Sequence, residues 1–415
     1  MKFFPVIHSI TAPALVSAAV ILALVGLSAH SRAQSALTPE KAAAIARANN
    51  AELLAARHLI AEAEARTRTT GRLTNPELTF EVGAGPRSQA RLGVAFTQRF
   101  PLTARLALER RHSAIAIEMA RLELDDRARL IAGRARATAT KLAAIRESVR
   151  LTATQTRDLE TFAKSLTAQS AEGLTSSLAA NQADLAAKTL AATSEVTKAE
   201  AIPLAEELAT LLGRPPASFP NVVLAALPSQ PPSPRTPTTR PDLRLAELAV
   251  EAGDTSVAIA RASRWDDVGV GVFYEGERLA AEEGGFENEN LAGVRVSSPL
   301  PLWQDGRGAV AEKTATLDRR RAELAALRLA VRNEADSAHR LLVAAFQTAR
   351  TLETDLLPAA RALVASSEAA YQRGEIDFPT LFSARTRLAD AQTSALAARQ
   401  SYHLAHAKWL TATEQ

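Results

Sequence analysis

His403 and His406 stand three residues apart, a spacing that on a helix would put two imidazoles on one face, where they could hold a metal ion. No third ligand lies near them in the sequence, and such a pair on a polar helix face more often meets only water. Met119 is the one methionine besides Met1, too few for a relay of thioethers that would pass on a soft metal. The chain has no cysteine, which removes thiolate ligands, Cys nucleophiles, disulfides and an N-terminal lipid carried on a Cys. Gly269-Val270-Gly271 lacks the third glycine and the following helix of a dinucleotide loop. Asp125-Asp126 and Arg319-Arg320-Arg321 read as solvated helix faces, and no Ser/His/Asp set has supporting context. These residues predict no catalytic group, no cofactor and no metal ligand, so the chain is not expected to be an enzyme.

Function must then lie in the elements. Of 415 residues 88 are alanine and only 18 are aromatic, the composition of long packed helices. Lys2, the apolar stretch from Ala12 to Leu27 and Ser31-Arg32-Ala33 read as a signal peptide over 1–33, cut before Gln34; a membrane anchor is the other reading of that run. Without that segment 47 basic residues face 45 acidic ones, which gives no case for nucleic acid. After Ala33 no run is apolar enough for a spanning helix, so a membrane protein made from this chain would have to use strands.

Proline marks the organisation. Nine of the 20 prolines crowd between Pro215 and Pro241, and none falls between Pro101 and Pro203 or between Pro301 and Pro358. The gaps predict uninterrupted helices and the crowd an extended linker over 213–240. Leu142, Ile145, Val149, Thr152, Leu159, Phe162 and Leu166 follow helical spacing, while Leu317, Leu324, Val331, Ala338, Ala345 and Leu352 recur every seven residues, with Leu327 and Leu341 between them. Both stretches read as coiled-coil-like helices.

A search for internal repeats decides the layout. Gly93 to Leu102 matches Gly293 to Leu302 at an offset of 200, Asn50-Ala51-Glu52-Leu53 faces Arg240-Pro241-Asp242-Leu243 at 190, and Gly173 pairs with Gly374 at 201. Ten extra residues are therefore expected in a loop after Tyr274. Two repeats, 39–212 and 241–412, each read helix, strand, strand, long helix, turn, helix. The expected helices are 39–72, 103–168, 174–212, 241–263, 306–373 and 380–412, the two longest about 100 Å each at 1.5 Å per residue. In the strands Leu78, Phe80 and Val82 alternate with Thr79, Glu81 and Gly83, and Val268, Val270, Val272 and Tyr274 alternate with Gly269, Gly271 and Phe273. Such alternation fits barrel strands, apolar to lipid and polar to the lumen, or half-buried hairpins of a soluble domain. Four strands cannot close a barrel, so the membrane reading demands oligomerisation.

At this level the chain resembles the TolC-type outer-membrane efflux family over nearly all of its length after residue 33. The resemblance rests on the duplicated layout, on Asn75-Pro76-Glu77-Leu78 opening the first strand, on the exits Phe100-Pro101-Leu102 and Leu300-Pro301-Leu302, and on the turns Glu172-Gly173-Leu174-Thr175-Ser176 and Arg373-Gly374-Glu375-Ile376-Asp377. It implies a mainly α protomer with a small β part. Three copies would form a 12-stranded transmembrane β-barrel and a periplasmic α-barrel, docked onto a periplasmic adaptor (membrane fusion) protein and an inner-membrane pump. The short chain, the Asn75 to Leu78 opening and the proline-rich exits look most like the heavy-metal-resistance branch, served by proton-driven RND pumps and exporting divalent cations of the cobalt, nickel, zinc or cadmium type. Drug efflux or type I protein secretion through a similar duct is the alternative. Without a Cys the protein would be held in the outer membrane by its barrel alone.

Three sets of site residues follow from that resemblance. Gly173, Leu174, Ser176 and Gly374 are the positions expected to meet the adaptor. Glu172, Arg373, Glu375 and Asp377 are the candidates for a gate, because threefold symmetry turns each tip residue into a ring of three. Glu275, Glu277, Glu282, Glu283, Glu287 and Glu289, against Arg278 alone, are expected to form an acidic extracellular rim in the loop between the second-half strands.

Overall fold

A computed structural model describes residues 36–414 apart from 86–87, 174, 217–221, 281–284, 301–302 and 304. The expected leader, Leu174, Glu282, Glu283, Pro301 and Leu302 lie outside the described residues. The chain runs α1 (Pro39–Asn49), α2 (Ala51–Arg66), β1 (Glu77–Gly83), β2 (Ser88–Phe100), α3 (Arg105–Ala171), α4 (Ser177–Leu212), α5 (Pro241–Ala262), β3 (Val268–Ala280), β4 (Phe286–Ser297), α6 (Arg307–Thr351), a π-helical turn (Leu352–Leu356), α7 (Leu357–Gln372) and α8 (Phe378–Thr413). Each repeat therefore pairs one short helical arm, one hairpin and one long helical hairpin.

The duplication is visible at single hydrogen bonds. Asn50 and Arg240 both precede a helix in extended conformation. The Asn50 side chain donates to Leu211 O at the end of α4, and the Arg240 guanidinium donates to Ala412 O at the end of α8. Asn50 is also where the expected helix over 39–72 breaks in two: its Oδ1 accepts from the amides of Glu52 and Leu53, capping α2 and turning the chain at ψ 128°. The helix then stops at Arg66 rather than reaching residue 72.

The 67 residues of α3 form one unbroken helix, about 100 Å long. Its counterpart, expected to be continuous over 306–373, carries the π-helical turn immediately before Pro358. Proline has no amide to donate and its ring crowds the preceding turn, so the wider turn accommodates it inside a helix that otherwise continues. The coiled-coil seam also differs from strict heptads. Leu317, Val331 and Ala338 are buried as expected, but Leu341 is 51% exposed, and Leu342, Phe346 and Ala349 take the seam against Tyr402, Ala405, Trp409 and Ala412 of α8. An ideal helix drifts relative to a seven-residue repeat, and here the buried stripe has moved by one position.

Small seam residues let the helices approach closely. Ala135, Ala139, Leu142 and Ala143 of α3 pack with Ala42 and Ala46 of α1 and Leu208, Leu211 and Leu212 of α4. Near the far end Leu166, Ala179, Ala180 and Ala183 share one cluster with Phe378, and Phe162, Phe378 and Phe382 stack in sequence at centroid separations of 5.8 and 5.6 Å. The two long hairpins thus converge at their tips.

All four described strands belong to one antiparallel sheet in the order β1-β2-β3-β4. The central pairing, β2 with β3 from Phe100↔Val268 to Ser88↔Leu279, joins the two repeats. The described residues on either side of the expected insertion, 275–280 and 286–290, are strand rather than loop. They lengthen β3 and β4 into 13- and 12-residue strands paired as far as Ala280↔Phe286, where β1 has only seven residues. Backbone pairing outlasts the apolar alternation that signalled it, because β-ladders need hydrogen bonds rather than side-chain polarity.

Candidate functional site

The strand register sorts side chains onto two faces. One carries Leu78, Phe80, Val82, Leu92, Phe96, Val270, Val272, Tyr274, Val294 and Val296, all exposed in the single chain. The other carries Glu81, Arg91, Gly93, Thr97, Phe273, Glu275, Glu277, Glu287, Glu289 and Arg295. All four described glutamates of the expected rim are therefore on strands and share the polar face. Glu275 is not among free acids: Arg91 of β2 donates to its Oε2 at 3.1 Å, and Arg295 of β4 lies 3.7 Å from its Oε1. Arg91 and Arg295 thus join this acidic region from neighbouring strands, whereas Arg278 projects to the opposite face, 4.1 Å above the Phe286 ring. Arg295 also lies 5.0 Å over the Phe273 ring, which folds across Gly293 so closely that a Cβ there would meet it at 2.9 Å. Glu277 and Glu289 are direct cross-strand partners, a like-charge pairing that costs stability unless it faces water or cations.

The helical tips form the second region. Gly173 and Gly374 both have φ of +73°, the left-handed conformation in which a helix closes and which a β-branched residue resists. The Gly374 turn is closed by Gly374 N–H to Tyr371 O and Glu375 N–H to Ala370 O. Beyond the turns, the Ser176 hydroxyl accepts from Leu178 N–H and the Asp377 carboxylate accepts from Thr380 N–H and Oγ1–H, so both cap the returning helix. The hydrogen bonds from Thr380 hold the Asp377 carboxyl below its ordinary range. Arg373 donates to Glu375 twice, at 2.6 and 2.9 Å, holding that carboxyl low and its own guanidinium high. Glu172 ends α3 and is exposed.

The remaining candidates resolve differently from expectation. His403 and His406 are not on a solvated face. They lie in an aromatic stack with Tyr402 and Trp409, His403 Nε2 is 2.9 Å from Ala225 O of the proline-rich segment, and burial pushes both imidazoles down. No group of three or more metal-ligating side chains is found among the described residues. Asp126 pairs with the buried Arg129, which also donates to Thr411 O, and Arg320 donates to Ala249 O at 2.7 Å, so neither belongs to a purely solvated face. The sequence reading missed the buried arginines. Arg129, Arg136 and Arg240 gather around the end of α8, and Arg47 and Arg136 both reach Glu414.

The described chain combines long helical hairpins with one antiparallel sheet that has β1 and β4 at its edges and a largely exposed apolar face. Residues 236–415 match the family model described as outer membrane efflux protein. Over 90% of this chain and 89% of the other, the fold is similar to the outer-membrane channel OprN, with a TM-score of 0.74 at 18% identity. The chain has the fold of an outer-membrane efflux channel. CusC, whose structures concern folding and transmembrane channel formation, has a TM-score of 0.75 at 14% identity over 91% of this chain and 92% of its own. The outer membrane protein VceC from Vibrio cholerae has a TM-score of 0.73 at 16% identity over 90% and 95%. No curated protein sequence matches the chain. The mainly α protomer with its four strands, expected from sequence, is that of this fold.

Proposed function

We propose that three copies of this chain form the outer-membrane duct of a tripartite efflux system, with a periplasmic adaptor and an inner-membrane pump of the RND class beneath it. The observation that carries this reading is the open sheet. β1 runs antiparallel to β2 and β4 to β3, so the β4 edge of one copy can accept the β1 edge of the next, and three copies give 12 strands with no free edge. The apolar face then meets lipid. No described helix is long and apolar enough to cross a membrane.

Divalent metal cations are the cargo that the polar face favours, because Glu277, Glu287 and Glu289 project there beside the Glu275 ion pairs. The hairpin ends of the sheet lie opposite its helical ends, which supports reading these glutamates as the rim of the extracellular mouth. The tips, with Gly173, Leu174, Ser176 and Gly374, are the adaptor contact, and Glu172, Arg373, Glu375 and Asp377 ring the mouth of the helical tunnel.

The test is expression of the full chain with Gly173→Val and Gly374→Val alongside it. A heat-resistant trimer in the outer-membrane fraction is expected for both, with efflux lost only in the variant. A monomer in the soluble periplasmic fraction would remove the duct reading, and full efflux in the variant would remove the tip contact.

A further inference from the structure

The proline-rich segment joins the two repeats, and side chains rather than backbone pairing keep most of it in place. Val223 N–H bonds Leu37 O at 3.2 Å, but from there to Thr239 the segment forms neither helix nor strand, and five prolines remove backbone donors. Two histidines take hold of its carbonyls. His403 of α8 lies with Nε2 2.9 Å from Ala225 O, and His339 of α6 with Nε2 3.0 Å from Pro232 O. A carbonyl can only accept, so both Nε2 atoms carry a proton and donate it. Between these contacts Leu227 packs against Leu342, Tyr402 and Trp409, and beyond them the Arg235 guanidinium lies 5.4 Å from the Trp409 ring centroid. Trp409 is shared. The His406 ring stacks on it at 5.9 Å and on Tyr402 at 6.1 Å, so one indole meets both a cation of the segment and a titratable ring of α8.

We propose that His403 and His406 form an acid-released clasp on this segment: neutral, they hold it against α8, and protonated, they let it go. A charged His406 would set a second cation beside Arg235 on the same indole. A charged His403 gains an N–H at Nδ1 that needs water, which draws the ring out of its contact with Tyr402 and away from Ala225 O. The charged groups facing the pair are Glu40 of α1, which favours protonation, and Arg136 of α3 and Arg399 of α8, which oppose it; α6 presents His339 and the segment Arg235. Burial is the largest influence and holds both imidazoles below their ordinary value of 6.5. A released histidine regains that value, so the clasp is at full strength above about pH 6.5 and weakens as pH falls through the lowered ones. Once released, the segment no longer straps the α6–α8 hairpin, which is then free to shift against the first repeat. The clasp lies within one copy, so it does not depend on three copies closing a barrel.

The absence of native cysteine makes the test direct. Bimane, a fluorophore quenched by a nearby indole, is attached to Ser233→Cys of the full-length chain in detergent, where Trp409 serves as the quencher. Its emission should be low at neutral pH and rise about twofold by about pH 5, reversibly, as the segment leaves Trp409. With Trp409→Phe the emission should be high throughout, which identifies the quencher. The pair His403→Gln and His406→Phe keeps a donor for Ala225 O and a ring in the stack but cannot charge, so emission should stay low at both pH values. Quenching that persists unchanged in acid overturns the clasp, as does an equal rise in the double variant. If the double variant is unquenched already at neutral pH, Glu40→Gln decides: removing the carboxylate that favours protonation should move the release midpoint to lower pH, and an unmoved midpoint contradicts the proposal.

Discussion

Arg373 and Glu375 form a fork-to-fork ion pair within one turn, both largely exposed. Such a pair neutralises a carboxylate that threefold symmetry would otherwise set against its own copies. Glu375 has its carboxyl held below the ordinary value near 4.3, so the pair persists above that range and is lost as pH falls through the lowered value. If the pair keeps the tunnel mouth closed, conductance of purified trimers in bilayers should rise on acidification below the ordinary carboxylate range, as the lowered Glu375 carboxyl protonates. Arg373→Ala should be open already at neutral pH and show little further response, while Glu375→Ala and Asp377→Ala should weaken block by divalent cations. Wild-type conductance and block in all three variants would place the constriction elsewhere. Asp377 also has a plain structural task as a helix cap, so its removal is expected to loosen the start of α8 by about 1 kcal/mol.

In the proposed duct the strands would carry the charge that an emerging ion meets last. Because Glu275 bridges Arg91 and Arg295, changing it to Gln frees two cationic side chains on the polar face, whereas Glu277→Gln and Glu289→Gln remove negative charge only. Single-channel reversal potentials should therefore shift furthest toward anions for Glu275→Gln, and selectivity indifferent to all three changes would separate the acidic face from conduction. Little of this was legible beforehand. The apolar alternation ended at Tyr274, and Glu275-Gly276-Glu277-Arg278 has the polarity of a loop, yet the ladder continues for six more residues on backbone pairing. The acidic residues were found, but their arginine partners come from strands about 180 and 20 residues away and only register reveals them. What periodicity and repeats did disclose was the duplicated order of elements, the two tip glycines and the long helices. The π-helical turn escaped because the heptads read in this helix end at Leu352, before Pro358.

In the whole molecule, a set of buried arginines ties the end of the chain to both repeats. The Arg240 side chain is 5% exposed and holds Asp242, Glu334 and Ala412 O at once, and these partners raise its affinity for its proton against the opposing effect of burial. Removing one member of such a buried set strands the others, so Arg240→Ala should cost about 3–5 kcal/mol and lower the thermal midpoint of the detergent-solubilised protein. Arg240→Ala with Asp242→Ala should recover part of that loss; an unchanged midpoint in the single variant would mean that the network is ornamental. The sheet bears on how the molecule comes into being. Phe100 and Val268, partners in the central strand pair, are separated by all of α3, α4, the proline-rich segment and α5. Such a distant pairing closes late, after local helices have nucleated and packed, because the entropy of gathering so long a loop must be met before any ladder bond forms. The apolar face consequently does not exist as a surface in the nascent chain. It is completed only once the helices have brought the two hairpins together, so until then each hairpin carries only its own half of the apolar face.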